Sequence, residues 1–377
     1  MGSKVKNAGR KLIFYSNIFF VLLLAASIIS PLIDPREFWV VSLLGLGFPV
    51  LFIINCAYLV FWLIFKRKNA LVPSVIILLS IPAVLNSYAF NSPKTFQLHK
   101  SPGGIRLMSW NVGLMNFDSP DTIIARRENQ VIFDSLARYK PDIICLQEFF
   151  TNIHKGTHLN FIDSIARTQG YPYHYFSKET PFFNGDYYSG TLLLSKYPIT
   201  SISRISFPPP WQEGIIKAAL SVNGTTVNVI TTRLQSVNFK RYEYQAINNI
   251  KTANDEAFKG SKTITRKLKN AYYQRSKQAN VIARLIQKTK GPIIFACDLN
   301  DVATGYAYHL IKQDMSDVWL KNGTGIGRTF KNISPTLRID FILINAYFKS
   351  LQTTRIISTG SDHYALVTDL VLKKGVE

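Results

Sequence analysis

Cysteine is nearly absent: the 377 residues hold three, Cys56, Cys145 and Cys297. None stands at zinc-ligand spacing and no disulfide framework can be drawn, so a disulfide-stapled or zinc-held fold is excluded. All three are expected as buried free thiols. Acidic residues are also scarce, 23 Asp and Glu against 44 Lys and Arg, for a net charge of +21. A chain so short of carboxylates favours anionic partners: nucleic acid, phospholipid head groups or a polyphosphorylated small molecule. No internal repeat or low-complexity tract is present, and the length is too great for one small domain.

Charge is missing altogether from three stretches, residues 12–33, 38–65 and 71–90. Each is close to the ~20 residues that a helix needs to cross a bilayer. Three transmembrane helices are therefore expected within residues 1–90. The alternative for the first run is a cleaved signal peptide, against which stand its length, the lack of a clear small-residue cleavage site and the two apolar runs that follow. Lys4, Lys6, Arg10 and Lys11 precede the first span, and Lys66, Arg67 and Lys68 separate the second from the third. The link between the first two holds one cation, Arg36, beside Asp34 and Glu37. Positive residues stay inside, so everything after Phe90 is expected on the outer face. This gives a multi-pass protein of a bacterial inner membrane with its large domain in the periplasm. The third span is the weakest, with Pro73, Pro82 and the polar Asn86-Ser87.

Residues 91–104, with two prolines and Gly103-Gly104, read as a linker. Residues 105–377 suffice for one large domain. The first 90 residues hold eight Lys/Arg and two Asp/Glu, which leaves +15 of the +21 for the remainder. Strands are expected at 105–110, 141–146, 191–195 and 199–205. Residues 215–222 and 225–231 flank Asn223-Gly224, a type I′ hairpin signal. Further strands follow at 293–297, 338–344 and 365–372. Helices are expected at 122–139, with apolar positions Ile123, Ile124, Val131, Ile132 and Leu136, at 272–288 and near 303–313. Residues 237–290 carry thirteen Lys/Arg against three Asp/Glu, either a solvated helix face or a binding surface. Strands in two groups with helices between them predict an α/β fold of two packed sheets flanked by helices.

Chemistry gathers at the ends of these strands. Glu148 closes the run Ile143–Gln147. Asp298 and Asn300 flank Leu299, so at strand spacing they point the same way, suited to joint work on one phosphate or water. Asp362 adjoins His363, whose ordinary pKa lies near neutrality. Asp340, between Ile339 and Phe341, needs a partner if buried, and a buried Asp can hold a His in one tautomer.

Six tracts in this order carry a resemblance: Ser109-Trp110-Asn111, Leu146-Gln147-Glu148, Ser189-Gly190-Thr191 through Tyr197-Pro198-Ile199, Asp298-Leu299-Asn300-Asp301, Arg338-Ile339-Asp340-Phe341 and Ser361-Asp362-His363. Residues 105–372 thus resemble the endonuclease/exonuclease/phosphatase superfamily. The resemblance implies a four-layer αββα sandwich and Mg²⁺-assisted phosphoester hydrolysis, with Mn²⁺ as a substitute. Glu148 would hold the metal, with Asn111 as ligand or phosphate contact and Asp362 as a further ligand. Asp298 would position or deprotonate the attacking water, and Asn300 would orient it or hold the phosphate. His363, oriented by Asp340, would bind the phosphate or move a proton.

Arg233 departs from the pattern, because it stands where relatives often carry a histidine. Arginine is no general acid at ordinary pH, but its fork binds phosphate bidentately. The expected activity is that of a membrane-anchored phosphodiesterase or phosphatase acting on a phospholipid-type substrate or nucleic acid. The alternative is a phosphate-binding relative with little turnover. Phe182, Phe183, Tyr187 and Tyr188 are candidate stacking residues for nucleic acid. His99, His154, His158, His174 and His309 have no motif context, and no specific protein partner is expected.

Overall fold

The computed structural model describes residues 2–154, 157, 160–209, 212–239, 243–244 and 261–373. In chain order the first nine strands are β1 (Ala89–Phe90), β2 (Ile105–Asn111), β3 (Ile143–Asn152), β4 (Tyr173–Phe176), β5 (Thr180–Phe182), β6 (Tyr187–Ser195), β7 (Ile199–Ser206), β8 (Gly214–Val222) and β9 (Thr225–Arg233). They are followed by β10 (Ile293–Asp298), β11 (Ser316–Asp317), β12 (Thr324–Gly325), β13 (Asp340–Ile344), β14 (Phe348–Ile356) and β15 (Ala365–Leu372).

Two sheets result. One runs β14-β15-β2-β3-β6-β4, with β5 also on β6; the other runs β11-β13-β10-β9-β8-β7. Each contains one parallel pair, β2 with β3 and β9 with β10, among antiparallel neighbours. A parallel pair needs a crossover. Helices Thr122–Tyr139 and Ser261–Lys288 lie within these crossovers.

The sheets face each other through Leu107, Cys145 and Leu193 on one side and Ala218, Val229, Ile294 and Ile342 on the other. Their outer faces are covered too. Met108, Trp110 and Leu146 meet Ile132 and Leu136, while Ile230, Phe295 and Cys297 meet Ala279, Ile282 and Tyr308. Strands buried on both faces read as unbroken apolar runs, which is why the central ones were legible in the sequence. The expected layering of two sheets between helices is present. Ile123 and Ile124 do not belong to the helix's core face: they are 72% and 48% exposed, beside the cap where Asp121 accepts their backbone N–H groups. Asn223 and Gly224 both have positive φ, 49° and 81°, as the type I′ turn requires. Cys145 and Cys297 are buried free thiols, while Cys56 is only half-buried.

The N-terminal section differs from expectation in two places. Helices Gly9–Leu32 and Phe48–Phe65 are long and apolar enough to cross a membrane. The third candidate is a pair, Arg67–Leu79 and Ile81–Ser87, bent by 47°. Pro82, lacking an N–H, accounts for the break. The chain thus has two candidate spans, or three if the bent pair counts as one. The second run, expected from residue 38, starts its long helix only at Phe48. Val40–Leu46 forms a separate helix, because Asp34 caps Pro35–Phe38 and Gly47 with Pro49 interrupts the chain. The first two long helices run antiparallel, joined by Ser16 to Tyr58 (2.8 Å), Trp62 Nε1 to Asn17 Oδ1 (3.1 Å) and Asn55 Nδ2 to the Phe20 carbonyl (3.1 Å). Polar contacts of this kind hold helices together where the surroundings are as apolar as the side chains.

The junction to the sandwich is packed. Ser30 Oγ donates to the Thr304 carbonyl (3.1 Å), Thr304 Oγ1 to the Gly45 carbonyl (2.8 Å), and Ser276 Oγ to Asp34 (2.6 Å). Gly45 is required by space: a Cβ there would lie 2.2 Å from Ser30 Oγ and 2.9 Å from the Thr304 carbonyl oxygen. Arg338 Nη2 donates to the Asn86 carbonyl (2.9 Å). Residues 91–104 do not hang free either. Asn91 donates to the carbonyls of Leu320 and Gly323, and β1 pairs with β12. Arg106, buried in a bidentate ion pair with Asp369 (2.6 and 2.8 Å), also donates to the carbonyls of Gln97 and Leu98. Composition marked this stretch as a linker; tertiary hydrogen bonds tie it down.

Candidate active site

Both parallel pairs end at one place. β2 and β3 deliver Asn111 and Glu148, and β9 and β10 deliver Arg233 and Asp298 in direct register. Convergence at the carboxyl ends of parallel strands is a general property of α/β sheets. Two of the residues are set by backbone irregularity. A bulge between Leu146 and Phe149 leaves Glu148 at φ 49°, and Asn300 sits at φ 48° just past β10. Left-handed backbone at non-glycine residues costs free energy and tends to mark functional positions.

Asn111 lies between two carboxylates. Its Nδ2 donates to Glu148 Oε1 (2.8 Å) and Asp298 Oδ2 (2.9 Å), while its Oδ1 accepts the Gly113 N–H (3.0 Å). Asp298, fully buried, also accepts the Asn300 N–H (2.8 Å) and Asn300 Nδ2 (3.1 Å). Asn300 Nδ2 is further held by the Leu234 carbonyl (3.0 Å). Arg233 Nη2 pairs with Glu148 Oε1 at 2.8 Å, its Nε stands 3.7 Å from Asp298 Oδ2, and its Nη1 3.7 Å from Glu213.

His363 Nδ1 meets Asp340 Oδ2 at 2.9 Å, both buried. Asp340 is fixed in turn by Thr329, whose Oγ1 accepts the N–H groups of Ile339 and Asp340 (3.0 and 3.1 Å). Ser361 Oγ accepts the His363 N–H (3.1 Å) and donates to the Asn111 carbonyl (2.7 Å), which links the two halves of the site. Trp110 Nε1 donates to the His363 carbonyl (3.0 Å).

Burial and charge set the protonation states. Burial and the nearby Asp340 carboxylate push the Asp298 carboxyl up. Burial disfavours the His363 cation, but Asp340, Asp298 and Asp362 outweigh it and raise the imidazole. Burial likewise opposes ionisation of Glu148, yet Arg233 and Asn111 hold its carboxyl below the ordinary value. Opposed shifts on neighbouring groups separate an acid from a base.

The donors are oxygens from Glu148 and Asp298, of the kind Mg²⁺ and Mn²⁺ prefer. Glu148 keeps 22% of its side chain open. Asp298, Asp340 and His363 also each offer a ligand atom within 4.8 Å of one another. His363 Nδ1 is already bonded to Asp340, so this trio reads first as a carboxylate-held imidazole beside a second carboxylate.

A family model described as the Endonuclease/Exonuclease/phosphatase family matches residues 108–363. This chain belongs to that family. Residues 10–88 match a separate model, a domain of unknown function, DUF8431. No curated protein matches the chain. Among solved structures, a humanized D. rerio TDP2 is 17% identical, with 71% of this chain and 99% of that one covered and a TM-score of 0.50. The human Nocturnin catalytic domain with bound sulfate anion is 16% identical (72% and 94% covered, TM-score 0.49). A family protein from Bacteroides thetaiotaomicron is 14% identical (74% and 98% covered, TM-score 0.49). At these identities the likeness concerns the fold alone.

Of the residues expected from the sequence, Asn111, Glu148, Arg233, Asp298, Asn300, Asp340 and His363 stand together. Asp362 lies exposed next to His363, with its Oδ1 3.4 Å from Ser361 Oγ. As oriented, Asn111 turns its amide N–H₂ toward both carboxylates. Phe182 and Tyr187 pack against Phe150, while Phe183 is 58% exposed. His154 pairs with Asp186 at the surface and His158 lies outside the described residues, as do 240–242 and 245–260 of the basic segment. Residues that sequence reasoning missed include Thr329, Ser361 as a bridge and Tyr244. Burial first, then the charges of Asp362 and Glu148, push the Tyr244 phenol up to about 12. No local pattern around Tyr244 would have pointed to it.

Proposed function

We propose that the chain is a divalent-metal-assisted phosphoester hydrolase, anchored in a bacterial membrane with its sandwich on the outer face. Its substrate is of the phospholipid type. The convergence of Glu148, Asn111, Asp298, Asn300, Arg233 and the Asp340-His363 pair carries the hydrolase reading. Mg²⁺ or Mn²⁺ at Glu148 would neutralise charge on the phosphate. Asp298, its carboxyl raised toward neutrality and steadied by Asn111 and Asn300, accepts a proton from the attacking water. His363, kept cationic by Asp340, donates to a phosphate oxygen. Arg233 binds another oxygen on the side where the leaving group departs. Asp362 is better read as a rim carboxylate.

Topology follows from which ends meet the sandwich. The link 30–47 and Asn86 both touch it, so the helices ending there start from the opposite side of the bilayer. Lys4, Lys6, Arg10, Lys11, Lys66, Arg67 and Lys68 all lie at those starts, which puts that side in the cytoplasm. The bent pair then serves as a third span.

Proximity to the bilayer favours lipid over nucleic acid. Leu46, from the link between the spans, packs in one cluster with Phe330, and the Phe330 ring lies 4.9 Å from that of His363. The site is therefore two side chains from the membrane junction. A second reading rests on Arg233: its 2.8 Å pair with Glu148 competes with any cation there, which suits a relative that binds phosphate and turns over slowly. Hydrolysis of bis-p-nitrophenyl phosphate by the full chain in detergent, with Mg²⁺ and an EDTA control, separates the two. Activity that is absent, or unchanged in Glu148→Ala and His363→Ala, rules out the enzyme. Comparing phosphatidylglycerol vesicles with plasmid DNA then tests the substrate class.

A further inference from the structure

A cavity of about 520 Å³ lies between the apolar helices and the sandwich, away from the catalytic residues. Its two ends differ in chemistry. Ile28, Leu32, Pro82 and Ala83 line it from the helices, and His309 and Lys312 from the sandwich. Leu32 is 67% exposed at its edge, so the apolar end continues onto the surface that would meet acyl chains. Burial and Lys312 both push the His309 imidazole down, which leaves it a neutral hydrogen-bonding group beside one cation. Lys312 makes no ion pair among the described residues. The volume lies in the range of small-molecule sites. An apolar channel open to the bilayer that ends on a lone lysine is complementary to an amphiphile with one anionic head.

We propose that this cavity binds an anionic glycerophospholipid of the surrounding leaflet. Its phosphate meets Lys312 and His309, and one acyl chain passes between Ile28 and Ala83. The site is separate from the catalytic one and would hold the lipid without cleaving it. Thr304, in the cavity wall, bonds to Gly45 and closes the loop that begins at Asn300.

The inference rests on the reading that the helices span a bilayer. That reading fails separately, by recovery of the full chain in the soluble fraction without detergent. The test is native mass spectrometry of the delipidated full chain in detergent, titrated with palmitoyl-oleoyl phosphatidylglycerol or the matching phosphatidylcholine. One phosphatidylglycerol is expected to bind in preference to phosphatidylcholine. Lys312→Glu should weaken that binding roughly tenfold or more, and Ala83→Trp should block it by filling the cavity. Both variants should keep hydrolysis of soluble bis-p-nitrophenyl phosphate, since neither residue touches the catalytic groups. Equal binding of both lipids, or unchanged phosphatidylglycerol binding in Lys312→Glu, overturns the proposal.

Discussion

Replacing Glu179 by Gln removes a carboxyl that the fold holds in an unusual state. Glu179 Oε1 accepts from Ser177 Oγ (2.9 Å) and from the Gly214 N–H (3.3 Å), within the field of Glu213 and Arg204. Burial raises its pKa and Glu213 adds to the rise; the Ser177 and Gly214 hydrogen bonds and the charge of Arg204 offset only part, so it reaches about 7 from an ordinary 4.5. The folded state thus binds more protons than the unfolded chain between those two values. Stability is full below pH 4.5, falls as pH rises toward 7, and is flat above it. The gap corresponds to about 3 kcal/mol at most. Gln keeps an oxygen for both donors and cannot ionise, so the variant escapes this loss. At pH 4.5 the two proteins should melt together. At pH 8 the variant should melt about 5–10 °C higher for a domain of this size. Intrinsic fluorescence melts of the full chain in detergent at pH 4.5, 6 and 8 measure the gap. A difference that stays constant across that range means Glu179 titrates as an ordinary acid, and the account of its burial is wrong.

Asp369→Asn breaks the bidentate pair with Arg106, whose partners are 2% exposed or less. It should cost about 3–5 kcal/mol, read as a lower melting temperature. Arg233→His removes the cation paired with Glu148. The Mn²⁺ concentration for half-maximal binding, followed by electron paramagnetic resonance, should fall roughly tenfold; an unchanged value means Arg233 does not compete with metal. Gly45→Val forces a side chain against Ser30 and Thr304. It should lower activity on vesicle-borne substrate more than on soluble diester, and an equal effect on both argues against a role for the junction. Fusing alkaline phosphatase to the C-terminus should give an active reporter, and an inactive one contradicts the outward-facing topology.

The sequence revealed what depends on local pattern. Central strands buried on both faces, the Asn223-Gly224 turn, Glu148 and the carboxylate that ends β10 were all legible, although β3 runs on past Glu148 to Asn152. The edge strand β14 was not, since Phe348–Ile356 mixes Lys, Gln and Thr with its apolar residues and half-exposes them. Helix Phe161–Gln169 and the short β4 and β5 escaped for similar reasons. The break at Gly47 was hidden because hydropathy sees no charge from Phe38 to Phe65. Within the site, residue types could be named but not their pairing. That Asn111 bridges Glu148 and Asp298, or that Ser361 ties His363 to β2, depends on contacts across 187 and 250 positions of chain.

The packed junction also governs kinetics. A flexible tether lets a domain sweep a volume that grows with its length. Here Gly45, Ser30 and Thr304 interlock and Asn86 is bonded to Arg338, so the sandwich is joined to the apolar helices without a free tether. Under the membrane reading, its encounters become two-dimensional. The relevant concentration is then the mole fraction of substrate in the leaflet, and diluting that lipid with an inert one should slow turnover even when its bulk concentration is held constant.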